Sequence, residues 1–134
     1  MFKTCYFILE GLNSFSTVYY SYYLYFFMKQ EFGFSNKANL LLAALNGATY
    51  MCGSFFGGRF AQRFGYFTSL KLGFGLMCAS LVLGSQANTA LAQVLVMVGT
   101  VTGMSFTWPA LEALISEGEN PAGLQRMVGM YNVV

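Results

Sequence analysis

The sequence is dominated by four apolar runs of about twenty residues that carry almost no charge. A run of that length crosses the roughly 30 Å hydrocarbon core of a bilayer as an α-helix, at about 1.5 Å per residue. Charged residues make up only 9% of the chain, whereas a soluble domain carries about 25%. The runs show no strict two-residue alternation, which argues against a membrane β-barrel. The sequence therefore predicts an all-α membrane protein.

The predicted membrane spans are residues 7–27, 38–60, 69–85 and 90–114. A fifth apolar segment begins near Leu124, and only about two turns of helix fit before Val134. Two turns cannot cross a bilayer. We therefore expect the sequence to be a fragment of a longer chain or a truncated form of one.

Lysines and arginines are distributed unequally between the two ends of these spans. Five lie at the end that holds the amino terminus, and two, Lys29 and Lys37, lie at the other end. Basic residues favour the cytoplasmic side of a membrane. We expect a multi-pass protein of the plasma or inner membrane with a cytoplasmic amino terminus. In the first outer loop, Ser35 or Asn36 is expected to cap the second helix.

Residues 57–67 form a short basic segment between the second and third apolar runs and contain Arg59 and Arg63. This pattern predicts a tight loop at the membrane surface. Its glycines, Gly57, Gly58 and Gly65, are expected to let two helix ends approach closely. Gly65 can also adopt the left-handed conformation that often ends a helix.

This segment resembles the signature loop between the second and third helices of the major facilitator superfamily. That signature is a glycine, three residues, aspartate, arginine, one residue, glycine and two basic residues. The positions that match are Gly58, Phe60, Ala61, Arg63 and Gly65, with Leu70 at a later apolar position. Gln62 stands in place of the aspartate, and Tyr66 and Phe67 stand in place of the basic pair.

A second stretch resembles the junction between the family's fourth and fifth helices, where an acidic residue ends one helix and an arginine opens the next. It runs from Pro109 to Asn132, and Glu117 and Arg126 occupy those two places. The two motifs lie in the family's order and about fifty residues apart.

The resemblance implies four helices and the start of a fifth from the amino-terminal half of a twelve-helix bundle. It also implies a secondary active transporter that moves a small solute by alternating access, with proton coupling as one option. The expected partners are the solute, protons, the lipid bilayer and the carboxy-terminal half of the same chain. The latch expected between conformational states comprises Gly58, Gln62, Arg63, Gly65 and Glu117. No cofactor, metal or nucleic acid is expected.

A polar stripe keeps helical phase along the first predicted span. Its members fall within about a third of the helix circumference: Glu10, Asn13, Ser14, Thr17, Tyr20 and Ser21. The far side carries Ile8, Leu12, Phe15, Tyr19, Tyr22 and Phe26. We interpret the stripe as the lining of a water-filled cavity. The alternative is that these side chains bond to their own backbone or join neighbouring helices.

Glu10 favours the cavity, because a carboxylate inside a span costs about 2.5 to 3.5 kcal/mol unless it faces water or a partner. Asn13, one turn later, is positioned to hydrogen-bond to it. Glu10 is also the candidate proton carrier. Alternatively, its side chain reaches the nearby interface.

The second and fourth spans add further candidates. Asn46 is expected to face the cavity from the second span, where Gly53 and Gly57 form a close-packing pair. Thr100 and Thr107 are the cavity candidates of the fourth span, and Pro109 is expected to kink it.

Two other functions are compatible with the composition. One is a small four-helix exporter that dimerises and couples to protons through Glu10, and the other is a membrane sensor or scaffold that transports nothing. The sequence contains no phosphate-binding glycine loop and no nucleophile paired with a base, so we expect no enzyme activity. The cysteines, Cys5, Cys52 and Cys78, have no metal-ligand spacing and are expected to be small core residues.

Overall fold

A computed structural model describes residues 2–131, with the side chains of 3–130. Over that range the chain forms five helices and no strand: α1 (Phe2–Phe32), α2 (Asn36–Phe64), α3 (Tyr66–Gly84), α4 (Ala90–Ser116) and α5 (Pro121–Tyr131). The predicted all-α class is confirmed. Asn132, the last residue of the second motif, lies outside the described residues.

Three of the described helices, α2, α3 and α4, are long and apolar enough to cross a membrane. The first predicted span is not among them, although α1 contains 31 residues. Its inward face carries a carboxylate, amides and hydroxyls, which lower the mean hydropathy of the helix. The polar stripe of α1 thus lowers the hydropathy by which a membrane span is recognised.

The helices extend beyond the predicted spans. The first span was expected at 7–27, but α1 runs from Phe2 to Phe32. Hydropathy detects only the part of a helix inside hydrocarbon, whereas backbone hydrogen bonding continues through the headgroup region. Gly33, with φ of 65°, turns the chain after α1. Ser35 then caps α2, because its hydroxyl accepts a hydrogen bond from the Ala38 amide at 3.2 Å.

The expected loop at 57–67 is helical almost throughout, so that prediction was wrong. Helix α2 continues to Phe64 and α3 begins at Tyr66, which leaves Gly65 alone between them. Gly65 has the predicted positive φ, 93°, but an extended ψ of 147°. A residue with a Cβ atom would be strained there. The turn is possible because one glycine reverses the chain without a longer loop.

Helix α4 is the centre of the bundle and packs mainly against α3 and α2, with α1 on another side. Two apolar clusters hold these contacts. One contains Leu24, Met28, Leu42, Met77, Met97, Val101 and Met104, and the other contains Leu70, Ala110, Leu111 and Leu114. Burial of each such side chain contributes roughly 1.5 to 3 kcal/mol when the reference is water. Helix α4 thus positions the three helices around it.

The cysteines are not core residues, contrary to the prediction. Cys5, Cys52 and Cys78 are free thiols on exposed helix faces. Because the bilayer is the solvent, small apolar side chains are as well accommodated facing lipid as facing the core. Composition alone therefore cannot distinguish the two positions.

Candidate functional site

The polar stripe of α1 faces into the bundle. Glu10, Asn13 and Thr17 are 2%, 3% and 3% exposed, respectively. The opposite side of the helix is open to the surroundings, as Phe15 illustrates with an exposure of 72%. The residues on that side are Ile8, Leu12, Phe15, Tyr19, Tyr22 and Phe26. Helix α1 therefore points its polar side chains at α4 and α2 and its large apolar ones outward.

Glu10 is buried and hydrogen-bonded within its own helix. The Ser14 hydroxyl donates to Glu10 Oε1 at 2.8 Å. Asn13, which we expected to bond to Glu10, makes no hydrogen bond through either amide atom among the described residues. Ser14 takes that place because it lies one full turn after Glu10, at i+4. The burial of Glu10 also argues against the alternative in which its side chain reaches the interface.

A cavity of about 490 Å³ lies between α1, α2 and α4. Its walls are Thr17, Val18, Ser21, Tyr22, Tyr25, Asn46, Gly47, Tyr50, Met104 and Trp108. Asn46 from α2 donates to the Tyr25 hydroxyl of α1 at 3.3 Å. Asn39 donates to the Tyr25 carbonyl oxygen at 2.9 Å. These two amides fix the wall between α1 and α2. Among the predicted candidates, Thr17 and Asn46 line this cavity.

The aromatic wall of this cavity was not predicted from the sequence. The rings of Tyr50 and Trp108 meet edge to face, with centroids 5.3 Å apart and planes at 76°. Trp108 Nε1 is buried and has no hydrogen-bond partner among the described residues. Trp108 is the one tryptophan of the chain and directly precedes Pro109. A tryptophan in the interior of a span, away from the interfacial aromatic belts, was the signal available.

The other predicted candidates lie elsewhere in the bundle. Tyr20 borders a second cavity, of about 350 Å³, together with Gln93. Thr100 is buried beside Tyr20 and donates to the Val96 carbonyl oxygen at 2.9 Å. Thr107 is fully buried and faces α3, where its methyl carbon would be 2.7 Å from a Cβ atom on Gly73. Thr107 therefore packs between helices and does not line either cavity.

The close contact between α2 and α4 is centred on Ser105. A Cβ atom on Gly53 would collide with the Ser105 hydroxyl, and one on Gly57 would collide with the Ser105 carbonyl oxygen. That carbonyl lies four residues before Pro109, which has no N–H to bond to it. Gly57 lets α2 approach this carbonyl closely. Gly58, which was expected to allow a close approach, faces open space.

The charged end of the bundle differs from expectation. Arg63 and Glu117, both members of the expected latch, form no ion pair with each other in the described part of the chain. The Arg63 guanidinium lies 5.3 Å from the Phe64 ring centroid, and that of Arg59 lies 4.2 Å from the Phe55 ring centroid. Instead, Lys3 forms an ion pair with Glu119. This pair joins the start of α1 to the segment between α4 and α5.

The fold and cavity define a helical membrane protein in which three helices line an open, mostly apolar cavity that contains polar side chains. The chain matches the family model described as Major Facilitator Superfamily over residues 5–134. No curated protein and no solved structure matches it. The chain belongs to the Major Facilitator Superfamily, a family of membrane transporters.

Proposed function

We propose that the chain forms part of the amino-terminal half of a secondary active transporter, which moves a small solute across the bilayer by alternating access. Residues 1–134 would supply four helices and the start of a fifth from a six-helix half. One observation carries the proposal: α1 buries Glu10, Asn13 and Thr17 on one face, and Thr17 lines a cavity. Polar groups within a membrane are expensive, and they are retained where a pathway needs them.

Different residues have different proposed roles. Thr17 and Asn46 would contact the solute, because both line the cavity. Glu10 would carry the coupling proton, because it is buried and its carboxylate already accepts a hydrogen bond. Tyr20 would contact the solute at the second cavity, with Thr100 beside it.

We also propose that the inner end of α2 is a conformational latch, formed by Gly58, Gln62, Arg63 and Gly65 together with Glu117. Gln62, Arg63 and Glu117 are all exposed. Neither Arg63 nor Glu117 forms an ion pair within the described residues, so both remain available to another part of the protein. With the amino terminus cytoplasmic, this latch would lie on the cytoplasmic side.

A cysteine at Thr17 tests alternating access. In the transporter that contains this chain, Cys5, Cys52 and Cys78 would first be replaced by serine. A membrane-impermeant maleimide should then label Thr17→Cys in both right-side-out and inverted vesicles, because the cavity opens to each side in turn. A matched Phe15→Cys variant should stay unlabelled, since Phe15 lies on the opposite face. Labelling of Thr17→Cys from one side only, or from neither, would remove the proposal.

The same assay tests the latch. Gln62→Asp should raise labelling from outside relative to labelling from inside, and Arg63→Ala should lower it. Ratios equal to those of the parent in both variants would show that this segment does not act as a latch. A sensor or scaffold, the remaining alternative, predicts a cavity that opens to no more than one side. The four-helix exporter has no support, because the family match covers residues 5–134.

A further inference from the structure

The walls of the α1–α2–α4 cavity carry no positive charge. None of its ten lining residues is a lysine or an arginine. The seven basic residues of the chain are Lys3, Lys29, Lys37, Arg59, Arg63, Lys71 and Arg126. Six of them lie near helix ends, and Arg126 lies in the middle of α5. Four have partners: Glu119 for Lys3, Asn36 for Lys29, Phe55 for Arg59 and Phe64 for Arg63. This part of the protein therefore offers nothing that would neutralise an anion in the cavity.

The cavity does offer aromatic faces. Tyr25, Tyr50 and Trp108 contribute to its walls, and the Tyr50 and Trp108 rings are in edge-to-face contact. The fourth aromatic residue at the cavity, Tyr22, is 76% exposed and lies on the outward side of α1. Aromatic faces attract cations through the negative potential above the ring, most strongly for tryptophan and in places with little water. The volume, about 490 Å³, lies within the range of pockets that hold drug-sized molecules.

A buried carboxylate adds negative potential. Glu10 is 2% exposed and lies two turns before Thr17 on the same face of α1, a separation of roughly 10 Å along the helix axis. Its Oε1 atom accepts a hydrogen bond from the Ser14 hydroxyl at 2.8 Å. At a separation of roughly 10 Å in a medium of low dielectric constant, one charge changes the affinity for another by about tenfold or more.

We propose that this cavity selects organic cations with an apolar body and rejects anions of the same size. Aromatic rings would hold the apolar body and the delocalised charge, and Glu10 would supply the favourable potential. The hydroxyls of Thr17 and Ser21 would contact polar substituents. This inference rests on the proposed function, because a substrate is selected only if the protein transports it. The binding preference itself can be measured without transport.

The test uses tetraphenylphosphonium and tetraphenylborate, two ions of nearly equal size and opposite charge. The 134-residue chain contains one tryptophan, Trp108, so in pure lipid vesicles its fluorescence reports directly on the cavity wall. Each titration is corrected for partitioning of the ion into empty vesicles. We expect the cation to quench Trp108 with at least tenfold higher affinity than the anion. Equal affinities, a tighter anion, or no quenching by the cation would overturn the proposal.

Two variants assign the preference to its source. Glu10→Gln should reduce the ratio of cation to anion affinity by about tenfold, whereas Glu31→Gln, which removes an exposed carboxylate after the end of the cavity, should keep the parent ratio. A preference that survives in Glu10→Gln would overturn the role of Glu10. The comparison of the two ions in the parent chain needs no variant to fold.

The outcomes separate this inference from the proposed function. Cation binding together with a Thr17→Cys variant labelled from one side only would leave the cation site in place and remove alternating access. Labelling of Thr17→Cys from both sides without a cation preference would leave alternating access in place and remove the cation site.

Discussion

At the scale of single residues, α2 and α4 approach each other at a point defined by three positions. Gly57 faces the Ser105 carbonyl oxygen, and Pro109 leaves that carbonyl without its usual helical donor. The Ser105 hydroxyl donates to the Val101 carbonyl oxygen at 2.9 Å within α4. A buried carbonyl without its helical donor is tolerable there because the Gly57 backbone packs against it, where a Cα–H···O contact can form. A small residue is thus required at position 57 by a backbone atom rather than by a side chain.

Neighbouring glycines allow a matched test of this requirement. Gly57→Ala should destabilise the chain by about 1 to 3 kcal/mol, because the added methyl group meets backbone that cannot rotate away. Gly58→Ala should be neutral or stabilising by about 0.5 to 1 kcal/mol, since its Cβ atom enters open space within a helix. Reversible unfolding in mixed micelles, followed by helical circular dichroism, measures both values. Equal stabilities for the two variants would show that the close contact at Ser105 does not hold α2 against α4.

The sequence predicted the direction of the α1 face but not its individual contacts. Helical phase is enough to place Glu10, Asn13 and Thr17 together on one side, and all three are buried. Phase says nothing about which helix meets that side. Thr107 shows the limit, because it shares the helical phase of Thr100 yet packs against Gly73 of α3. Trp108 was missed for the same reason, because helical phase does not show which helix its ring meets.

At the scale of helices, the second, third and fourth predicted spans fall in helices that are long and apolar enough to cross the bilayer, because a span needs about twenty apolar residues. The helix ends were not predictable, because a polar residue can continue a helix in the headgroup region. The segment at 57–67 shows this: its arginines were taken as loop residues, but they extend α2 to Phe64. The ion pair between Lys3 and Glu119 was equally unpredictable, since it joins residues at opposite ends of the sequence.

That ion pair links the start of α1 to the segment between α4 and α5, and we expect a modest contribution from it. The Lys3 and Glu119 side chains are 38% and 24% exposed, so their interaction should be worth about 1 kcal/mol or less. Lys3→Ala and Glu119→Ala, alone and combined, give a double-mutant cycle in the same unfolding assay. Lys3→Ala combined with Glu117→Ala is the control cycle and should show no coupling, because Glu117 is exposed and forms no ion pair in the described part of the chain. Coupling in the second cycle but not in the first would reverse this assignment.

At the scale of the whole molecule, the described helices bring the charged segments together at two ends. The contact between Lys3 and Glu119 shows that the amino terminus and the segment after α4 share one end. The junction of α2 and α3 lies at that end too, because successive helices reverse direction. This end carries five of the seven basic residues, and the other carries Lys29 and Lys37. The unequal numbers of basic residues lie in or near short connections between helices, where they determine membrane orientation most strongly.

We therefore expect the end that contains Lys3 and Arg63 to be cytoplasmic. In a chain with its native cysteines replaced by serine, Asn36→Cys and Asn88→Cys should react with an impermeant maleimide added to intact cells. Gln62→Cys and Glu117→Cys should react only after permeabilisation. All four native residues are exposed, so poor access to the side chain cannot explain a difference between the pairs. Labelling of Gln62→Cys in intact cells would invert the topology. It would also move the proposed latch to the outer surface, because α2 cannot carry its basic end across the bilayer without turning the whole bundle over.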